Sequence, residues 1–299
     1  MRQLVVISGK GGTGKTSVTA SFAVLARGEA VLADCDVDAA DLHLVLEPEV
    51  IRTEEFVSGH RAVIRQDDCI GCGACLARCR FDAVTRTGGG AGQATFEVID
   101  AACEGCGVCV DACPVDAIDF PDEVCGQWFV SRTRAGMMVH ARLGIGAENS
   151  GKLVSTVRRE ALAEAERTDR RMVLIDGPPG IGCPVIASVT DTDYVVVVTE
   201  PGLSGLHDLK RVMDLLKHFK VPGGLVINRA DINEPIAREV ETLAAERGLP
   251  LLGRIRYDRS ITRAQVAGRA VVELDDAPSA EDMRSVWHET MKRMDDLDV

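Results

Sequence analysis

Short apolar runs alternate with longer amphipathic stretches along most of this 299-residue chain. The stretches between the runs carry apolar residues at helical spacing. This alternation predicts right-handed crossovers and therefore a doubly wound, mostly parallel α/β sheet with helices on both faces. The apolar runs lie at residues 4–7, 30–33, 172–175, 194–199, 225–227 and 251–255.

The first apolar run leads directly into the glycine-rich pattern G-x-x-x-x-G-K-T at residues 9–16, and a helix-like segment follows. Glycines allow successive backbone N–H groups to surround phosphate oxygens at a helix N-terminus. In such a loop the lysine reaches the β- and γ-phosphates and the next hydroxyl binds Mg2+. We therefore expect nucleotide contacts from Gly11, Gly12, Thr13, Gly14, Lys15, Thr16 and Ser17, with Thr16 also a Mg2+ ligand.

Acidic residues follow two of the predicted strands. Asp176 ends the third run, which is typical of a carboxylate that holds Mg2+ through a water molecule. Asp36 follows the second run. Because the carboxyl ends of parallel strands form the ligand-binding edge of an open α/β sheet, we expect both carboxylates near the glycine-rich loop. The alternative for such residues is a solvated turn carboxylate. For Asp38 and Asp41 this alternative and assistance to Mg2+ through water both stay open.

Eight of the eleven cysteines form two copies of one pattern. Each copy reads C-x-x-C-x-x-C-x-x-x-C, and equivalent positions are 34 residues apart. Thiols this close together in a cytosolic chain indicate metal binding rather than disulfides. The eight residues are Cys69, Cys72, Cys75 and Cys79, then Cys103, Cys106, Cys109 and Cys113.

Composition and charge exclude several classes of function. No apolar run approaches the roughly 20 residues needed to span a bilayer, and the first strand leaves no room for a signal peptide. We therefore expect a cytoplasmic protein without stable membrane insertion. The net charge of −12 repels the phosphates of nucleic acids and of anionic lipids, so no nucleic acid partner is expected.

The glycine-rich loop reads G-K-G-G-T-G-K-T in full, and its early lysine, Lys10, resembles that of the deviant Walker A motif. This motif belongs to the MinD, ParA and nitrogenase iron protein group of P-loop ATPases, the SIMIBI class. The resemblance implies ATP or ADP with Mg2+ as ligands. It also implies a homodimer on ATP binding, in which Lys10 reaches the partner's nucleotide.

The same resemblance assigns roles to residues outside the loop. It implies that Asp36 positions the attacking water, and that Asn228 and Asp258 contact the adenine base. The implied catalytic set is Lys10, Lys15, Asp36 and Asp176. Residues 228–231 read N-R-A-D, which also echoes the guanine-reading motif of GTPases, but the early lysine favours ATP.

The repeated cysteine pattern resembles a bacterial ferredoxin with two 4Fe-4S clusters, in which the fourth cysteine of each run binds the other cluster. Zinc is the alternative for any cysteine cluster, although zinc sites usually pair two C-x-x-C hooks across a longer gap. The first run has Arg80 where the second has the usual proline, Pro114. The resemblance implies one cluster on Cys69, Cys72, Cys75 and Cys113 and another on Cys103, Cys106, Cys109 and Cys79.

These features predict a P-loop ATPase domain at 1–58 and 124–299, interrupted at 59–123 by a small α+β ferredoxin-like domain. Residues 88–92 are expected at a hairpin tip, and residues 140–152 in a loop that caps the next helix. Within that loop His140 is expected to be a hydrogen-bonded structural histidine. Cys183 is expected to be a buried free thiol. Its spacing of seven residues from Asp176 also resembles that of a cluster-binding cysteine in the nitrogenase iron protein, so a further cluster with Cys35 or Cys125 is the alternative.

The leading hypothesis is an ATPase that couples nucleotide state and dimerisation to electron transfer through two clusters to a protein partner. One alternative is an iron-sulfur cluster assembly or carrier ATPase, related to the Mrp proteins, whose partner accepts a cluster. A third is a MinD- or ParA-like positioning ATPase with a redox-sensing domain.

Overall fold

The computed structural model describes residues 1–88, 94–144 and 151–297. The chain divides into two compact units. The first contains residues 1–54, 128–143 and the chain from 151 onward, and the second contains residues 55–127 with 144.

Strands and helices alternate through most of the described chain. In order they are β1 (Arg2–Ser8), α1 (Lys15–Leu25), β2 (Ala30–Asp34), α2 (Leu42–Leu46), β3 (Glu49–His60), β4 (Val63–Ile64), α3 (Ala74–Arg78), β5 (Val84–Thr87), β6 (Thr95–Val98), α4 (Val108–Asp111), β7 (Ile118–Asp119), β8 (Asp122–Thr133), β9 (Gly136–Leu143), α5 (Lys152–Arg167), β10 (Met172–Pro179), α6 (Cys183–Val189), β11 (Tyr194–Thr199), α7 (Leu203–Phe219), β12 (Gly223–Asn228), α8 (Glu234–Glu246), β13 (Leu251–Ile255), α9 (Arg259–Val266) and α10 (Pro278–Asp296).

A nine-stranded sheet has the order β13-β12-β11-β1-β10-β2-β9-β8-β3. The neighbouring strands from β13 through β9 pair in parallel, with β1 between β11 and β10. The predicted mostly parallel α/β sheet is therefore confirmed. This order places the carboxyl ends of β1, β2, β10 and β12 at one edge of the first unit.

The central strands are apolar because helices cover both of their faces. In β1, Leu4 and Val6 pack into a core with residues of α1 and α10, while Val5 and Ile7 are equally buried. Phe22 of α1 lies 5.0 Å from the Trp287 ring, centroid to centroid. A strand buried on both faces reads as a continuous hydrophobic run, which is why the strands were visible in the sequence.

Between β3 and β8, the second unit has the element order β4-α3-β5-β6-α4-β7. The unit contains two antiparallel strand pairs. β4 pairs with β7 and thereby joins the first sequence repeat to the second. β5 pairs with β6, which follows it along the chain. Its small core contains Ile64, Val84, Phe96 and Ile118, and several of the repeated cysteines pack against this core.

One predicted loop is wrong over its first residues. Residues 140–143 belong to β9, which pairs in parallel with β2 through Met138 and Val139. The strand that begins at Gly136 beside β2 continues through these residues, so strand continuation outweighs the loop tendency of the glycines that follow. Most of the remaining loop, 145–150, and most of the predicted hairpin tip, 89–92, lie outside the described residues.

Across the ranges the structure covers, no helix has both the length and the apolar character required to cross a bilayer.

Candidate functional site

The glycine-rich loop connects β1 to α1 in the first unit. Gly14 caps α1 with φ of 90°, a left-handed conformation that favours glycine. A Cβ atom at this position would lie 2.2 Å from Asn228 Nδ2, so the loop and the end of β12 approach too closely for any side chain. The Thr13 hydroxyl is buried and has no hydrogen-bond partner among the described residues. An open backbone cradle with an unused donor suits a phosphate group.

Lys15 lies at the centre of a buried charge cluster. Its Nζ is 2.9 Å from Asp36 Oδ2 and 3.4 Å from Asp176 Oδ1. The hydroxyls of Thr16 and Thr19 donate to the two oxygens of Asp176, at 2.9 Å and 2.8 Å. The structure thus brings together the predicted lysine, threonine and both carboxylates. The contact from Thr19 was not predicted, because its spacing on α1 carries no motif.

Burial and charge compete within this cluster. Burial alone would lower the pKa of Lys15, but Asp176 and Asp36 raise it above its ordinary value. Burial also raises the pKa of Asp36, although Lys15 opposes that change, and burial with Asp176 raises the pKa of Asp34. The raised pKa favours the charged form of Lys15. The raised pKa values of Asp34 and Asp36 show that carboxylates are crowded here, and bound Mg2+ would offset their charge.

A cavity of about 950 Å³, counted with the open space at its mouth, lies beside this cluster. Its wall combines the glycine-rich loop with residues from the ends of β2, β12 and β13. Such a cavity at the carboxyl ends of parallel strands is the usual ligand site of this architecture. The lining includes Gly11, Gly12, Gly14, Lys15, Thr16, Ser17, Asp36, Asp41, Asn228, Arg229, Tyr257, Asp258 and Gln265.

The two predicted base contacts, Asn228 and Asp258, line this cavity but also hold the protein together. Asn228 Nδ2 donates to the Thr13 carbonyl at 2.7 Å, which ties β12 to the loop. Asp258 caps α9 by accepting from the Ser260 amide at 2.8 Å and from the Ser279 hydroxyl at 2.8 Å. Burial opposes ionisation here, but these hydrogen bonds lower the pKa of Asp258 to about 2. Both side chains therefore have structural work independent of any base.

Lys10 makes contacts that the sequence did not reveal. Its Nζ lies 2.6 Å from Glu200 Oε1 and donates to the Ser204 hydroxyl at 2.9 Å. Glu200 also accepts from Arg229 at 3.0 Å. The only available signal was the position of Glu200 at the end of the β11 run, which is a common place for a polar residue. In this structure Lys10 is therefore held within its own chain.

The remaining cysteines include one wrong prediction. Cys183 is exposed rather than buried, because it is the first residue of α6 and precedes Pro184. Cys35 is buried, and burial raises the pKa of its thiol strongly. Cys125 lies in the second unit, where its thiol donates to the Ser58 carbonyl at 2.7 Å.

His140 Nε2 and the Ser131 hydroxyl form a hydrogen bond of 2.8 Å, as expected of a structural histidine.

The eight repeated cysteines line two separate cavities in the second unit. One cavity is about 310 Å³ and the other about 370 Å³, each counted with its open mouth. Each contains three cysteines of one repeat and the fourth cysteine of the other repeat. The first is lined by Cys69, Cys72, Cys75 and Cys113, and the second by Cys103, Cys106, Cys109 and Cys79.

Matching glycines shape the two cysteine loops. Gly71 and Gly105, at equivalent positions of the repeats, have φ of 70° and 59°. A Cβ atom at either position would lie within about 2.3 Å of a carbonyl oxygen, that of Ala94 or that of His60. Left-handed turns between the cysteines let three thiols of one short loop surround one cavity.

The residues that line each cavity include four thiols, a donor type that both iron-sulfur clusters and single soft metal ions accept. Four thiols around a void are the ligands of a 4Fe-4S cluster. Burial raises the pKa of Cys75 and of Cys109, so cluster binding would release protons from these thiols. Within the described ranges, no three His, Cys, Asp or Glu side chains converge as a ligand set for one metal ion.

A parallel sheet that carries a glycine-rich loop and a buried lysine–aspartate cluster defines a P-loop nucleotide-binding protein. The sequence profile of the CobQ/CobB/MinD/ParA nucleotide binding domain matches residues 4–271, and the chain belongs to this family.

Individual proteins are also similar to this chain in sequence. The chain is 34% identical over 235 residues to an uncharacterized protein of Methanocaldococcus jannaschii, covering 77% of this chain and 79% of that protein. It is 29% identical over 144 residues to an iron-sulfur cluster carrier protein of the same organism, covering 44% of this chain and 50% of the carrier.

The fold also matches a solved structure. The septum site-determining protein MinD of Pyrococcus horikoshii, complexed with Mg-ADP, superimposes with a TM-score of 0.58 and 19% identity. The match covers 96% of this chain and 95% of that one. At this level of identity the likeness concerns the fold.

Proposed function

We propose that this protein hydrolyses ATP and couples nucleotide binding and homodimerisation to electron transfer through two 4Fe-4S clusters to a protein partner. One observation carries the proposal. Two cavities that each present four cysteines occur in the same chain as a complete lysine, threonine and aspartate set for a nucleotide.

The nucleotide half of the proposal assigns each residue a physical task. The cation of Lys15 binds the β- and γ-phosphates, whose charge replaces that of the carboxylates it now contacts. Thr16 and Asp176 would hold Mg2+, the second directly or through water, and the metal would neutralise charge on the phosphates. Asp36 lies 2.9 Å from Lys15, at the phosphate end of the cavity, where it can accept a hydrogen bond from the attacking water.

Dimerisation supplies the task of Lys10. A lysine that is held by Glu200 in one chain is released when a nucleotide phosphate competes with the carboxylate. In the proposed dimer it then contacts the partner's nucleotide, as the resemblance to MinD and ParA proteins implies. ATP binding and dimer formation would thereby favour each other.

The redox half assigns residues 59–123 to a ferredoxin-like domain with the two cluster-binding sets given above. The β-α-β-β-α-β order and the exchange of the fourth cysteine between repeats support this assignment. The clusters, when bound, would supply one-electron chemistry at low potential. The protein's own contribution is to hold the thiols in place and to restrict water through the apolar core beneath them.

Anaerobic preparation tests the redox half. We expect about eight irons and about eight sulfides per chain, the content of two 4Fe-4S clusters. Cys69→Ser should lower the iron content by about half or more, whereas Cys125→Ala and Cys183→Ala, which remove thiols outside both cavities, should leave it unchanged. Zinc in place of iron, or equal losses in all three variants, would refute the assignment.

Nucleotide coupling needs a separate measurement. Lys15→Ala should abolish hydrolysis, and Lys10→Ala should abolish MgATP-dependent dimerisation in sedimentation experiments. Neither change should alter the iron content. If the Lys15→Ala variant delivered electrons to an acceptor as well as the wild type does, nucleotide would not control electron delivery.

A second candidate function is cluster delivery, because the chain resembles iron-sulfur cluster carrier proteins over part of its length. A carrier must release its cluster, whereas ferredoxin-type clusters stay bound. Transfer of radiolabelled iron to an apo-ferredoxin without prior denaturation would favour the carrier.

A further inference from the structure

The two sequence repeats of the second unit differ sharply in charge. Residues 91–127 contain eight carboxylates and no arginine or lysine, whereas residues 59–90 contain five arginines and three carboxylates. Two of the five arginines are neutralised. Arg61 pairs with Asp100 and Glu123, and Arg65 pairs with Asp68 and Asp119.

The other three arginines, Arg78, Arg80 and Arg86, are exposed and form no ion pair with any described residue. Two of them flank Cys79. The equivalent residues around Cys113 in the other repeat are Ala112 and Pro114. The clearest difference in charge between the two repeats therefore lies at the residues next to the fourth cysteine, which are two exposed arginines in the first repeat and none in the second.

Apolar side chains accompany these cations. Leu76 is 43% exposed and Phe81 is 47% exposed, and Phe81 also lines the cavity of Cys79 and the exposed Cys106. Charged and apolar side chains that surround the mouth of a redox site are typical of a docking surface, because charge steers the encounter and apolar contact holds it. Asp82 and Glu104 lie in the same region and limit the net positive charge.

We propose that the surface formed by Leu76, Arg78, Arg80 and Phe81 docks an acidic one-electron carrier protein and is where electrons enter the second unit. This inference rests on the proposed function. Cys79, Cys103, Cys106 and Cys109 would hold the cluster that accepts one electron from the reduced carrier. No bond is formed or broken and no proton moves. The acidic partner is favoured because unpaired guanidinium groups bind carboxylates, and because the rest of this −12 chain repels them.

The test uses the full-length, iron-loaded protein and a plant-type ferredoxin, an acidic 2Fe-2S carrier, as the probe. Binding is measured by calorimetry at low and high salt, and reduction by stopped-flow absorbance. Arg78→Glu/Arg80→Glu should weaken binding at low salt about tenfold or more and should remove most of its salt dependence.

A matched control separates local charge from total charge. Lys210→Glu/Lys292→Glu makes the same change in net charge at two exposed lysines of α7 and α10. It should change binding much less than the arginine variant. Iron content and circular dichroism of both variants should equal those of the wild type.

Several results would overturn the docking surface. Equal weakening in both variants, unchanged binding in the arginine variant with full iron content, or full competition by a single-stranded DNA oligonucleotide would each do so. The last would mean that the arginines bind polyanions in general. A protein that binds no iron would instead overturn the proposed function, and this inference with it.

Discussion

Replacement of Gly14 by alanine tests the close approach between the glycine-rich loop and β12. Alanine in the left-handed conformation costs about 1–2 kcal/mol. Its Cβ would also lie 2.2 Å from Asn228 Nδ2, so that amide must move and give up its hydrogen bond to the buried Thr13 carbonyl. An unsatisfied buried acceptor costs a further 1–3 kcal/mol or so. We therefore expect a loss of about 2–5 kcal/mol in the free energy of unfolding.

Gly12 provides the matched control. Its φ is 81°, but no atom lies within 4 Å of the position that a Cβ would occupy. Gly12→Ala should therefore cost only the conformational term, about 1–2 kcal/mol. Urea unfolding of both variants without nucleotide, followed by circular dichroism, measures the difference. In a double-mutant cycle with Asn228→Ala, the two changes should destabilise less together than their sum. Equal losses in the two glycine variants would refute the argument.

Three further predictions concern single side chains. Burial, reinforced by His43, lowers the pKa of His140 from 6.5 to about 4, so the unfolded chain binds the additional proton between these values and stability falls as the pH decreases through this window. From pH 7 to pH 5 we expect the free energy of unfolding, measured by urea titration, to fall by about 1–2 kcal/mol in the wild type. The His140→Gln variant should not show this loss, and an equal pH dependence of both proteins would contradict the prediction. Asp258→Ala should lower the free energy of unfolding by about 1–2 kcal/mol through loss of the α9 cap, and Asp258→Asn should lower it less. Thermal unfolding measures both, and an alanine variant as stable as the wild type would be inconsistent with the capping contacts. Glu200→Gln should free Lys10 and shift MgATP-dependent dimerisation to roughly two- to fivefold lower protein concentration in sedimentation velocity, whereas weaker association would argue that Glu200 has another role.

Features with strong local signals were predictable from the sequence. The apolar runs identified β1, β2, β10 and β11 because strands buried on both faces admit almost no polar residue. The lysine, threonine and aspartate of the nucleotide cluster were predictable because phosphate binding constrains residue type and spacing together.

Contacts between distant segments were not predictable in the same way. The pairing of Lys10 with Glu200 depends on the sheet order that brings β11 beside β1, and no spacing in the chain records that order. The exposure of Cys183 was missed for a similar reason. An expectation of burial based on residue type cannot detect that a cysteine begins a helix at the surface.

The exchange of the fourth cysteine between repeats has a consequence for assembly and damage. Cys113 completes the cavity of the first repeat and Cys79 that of the second, so neither half of the unit contains a finished ligand set. Under the proposed function, a nascent chain could not load a cluster into its first half before the second had emerged from the ribosome. By the same reasoning, oxidation of one thiol that disorders its loop would loosen the neighbouring cavity, and both proposed clusters would be lost in close succession.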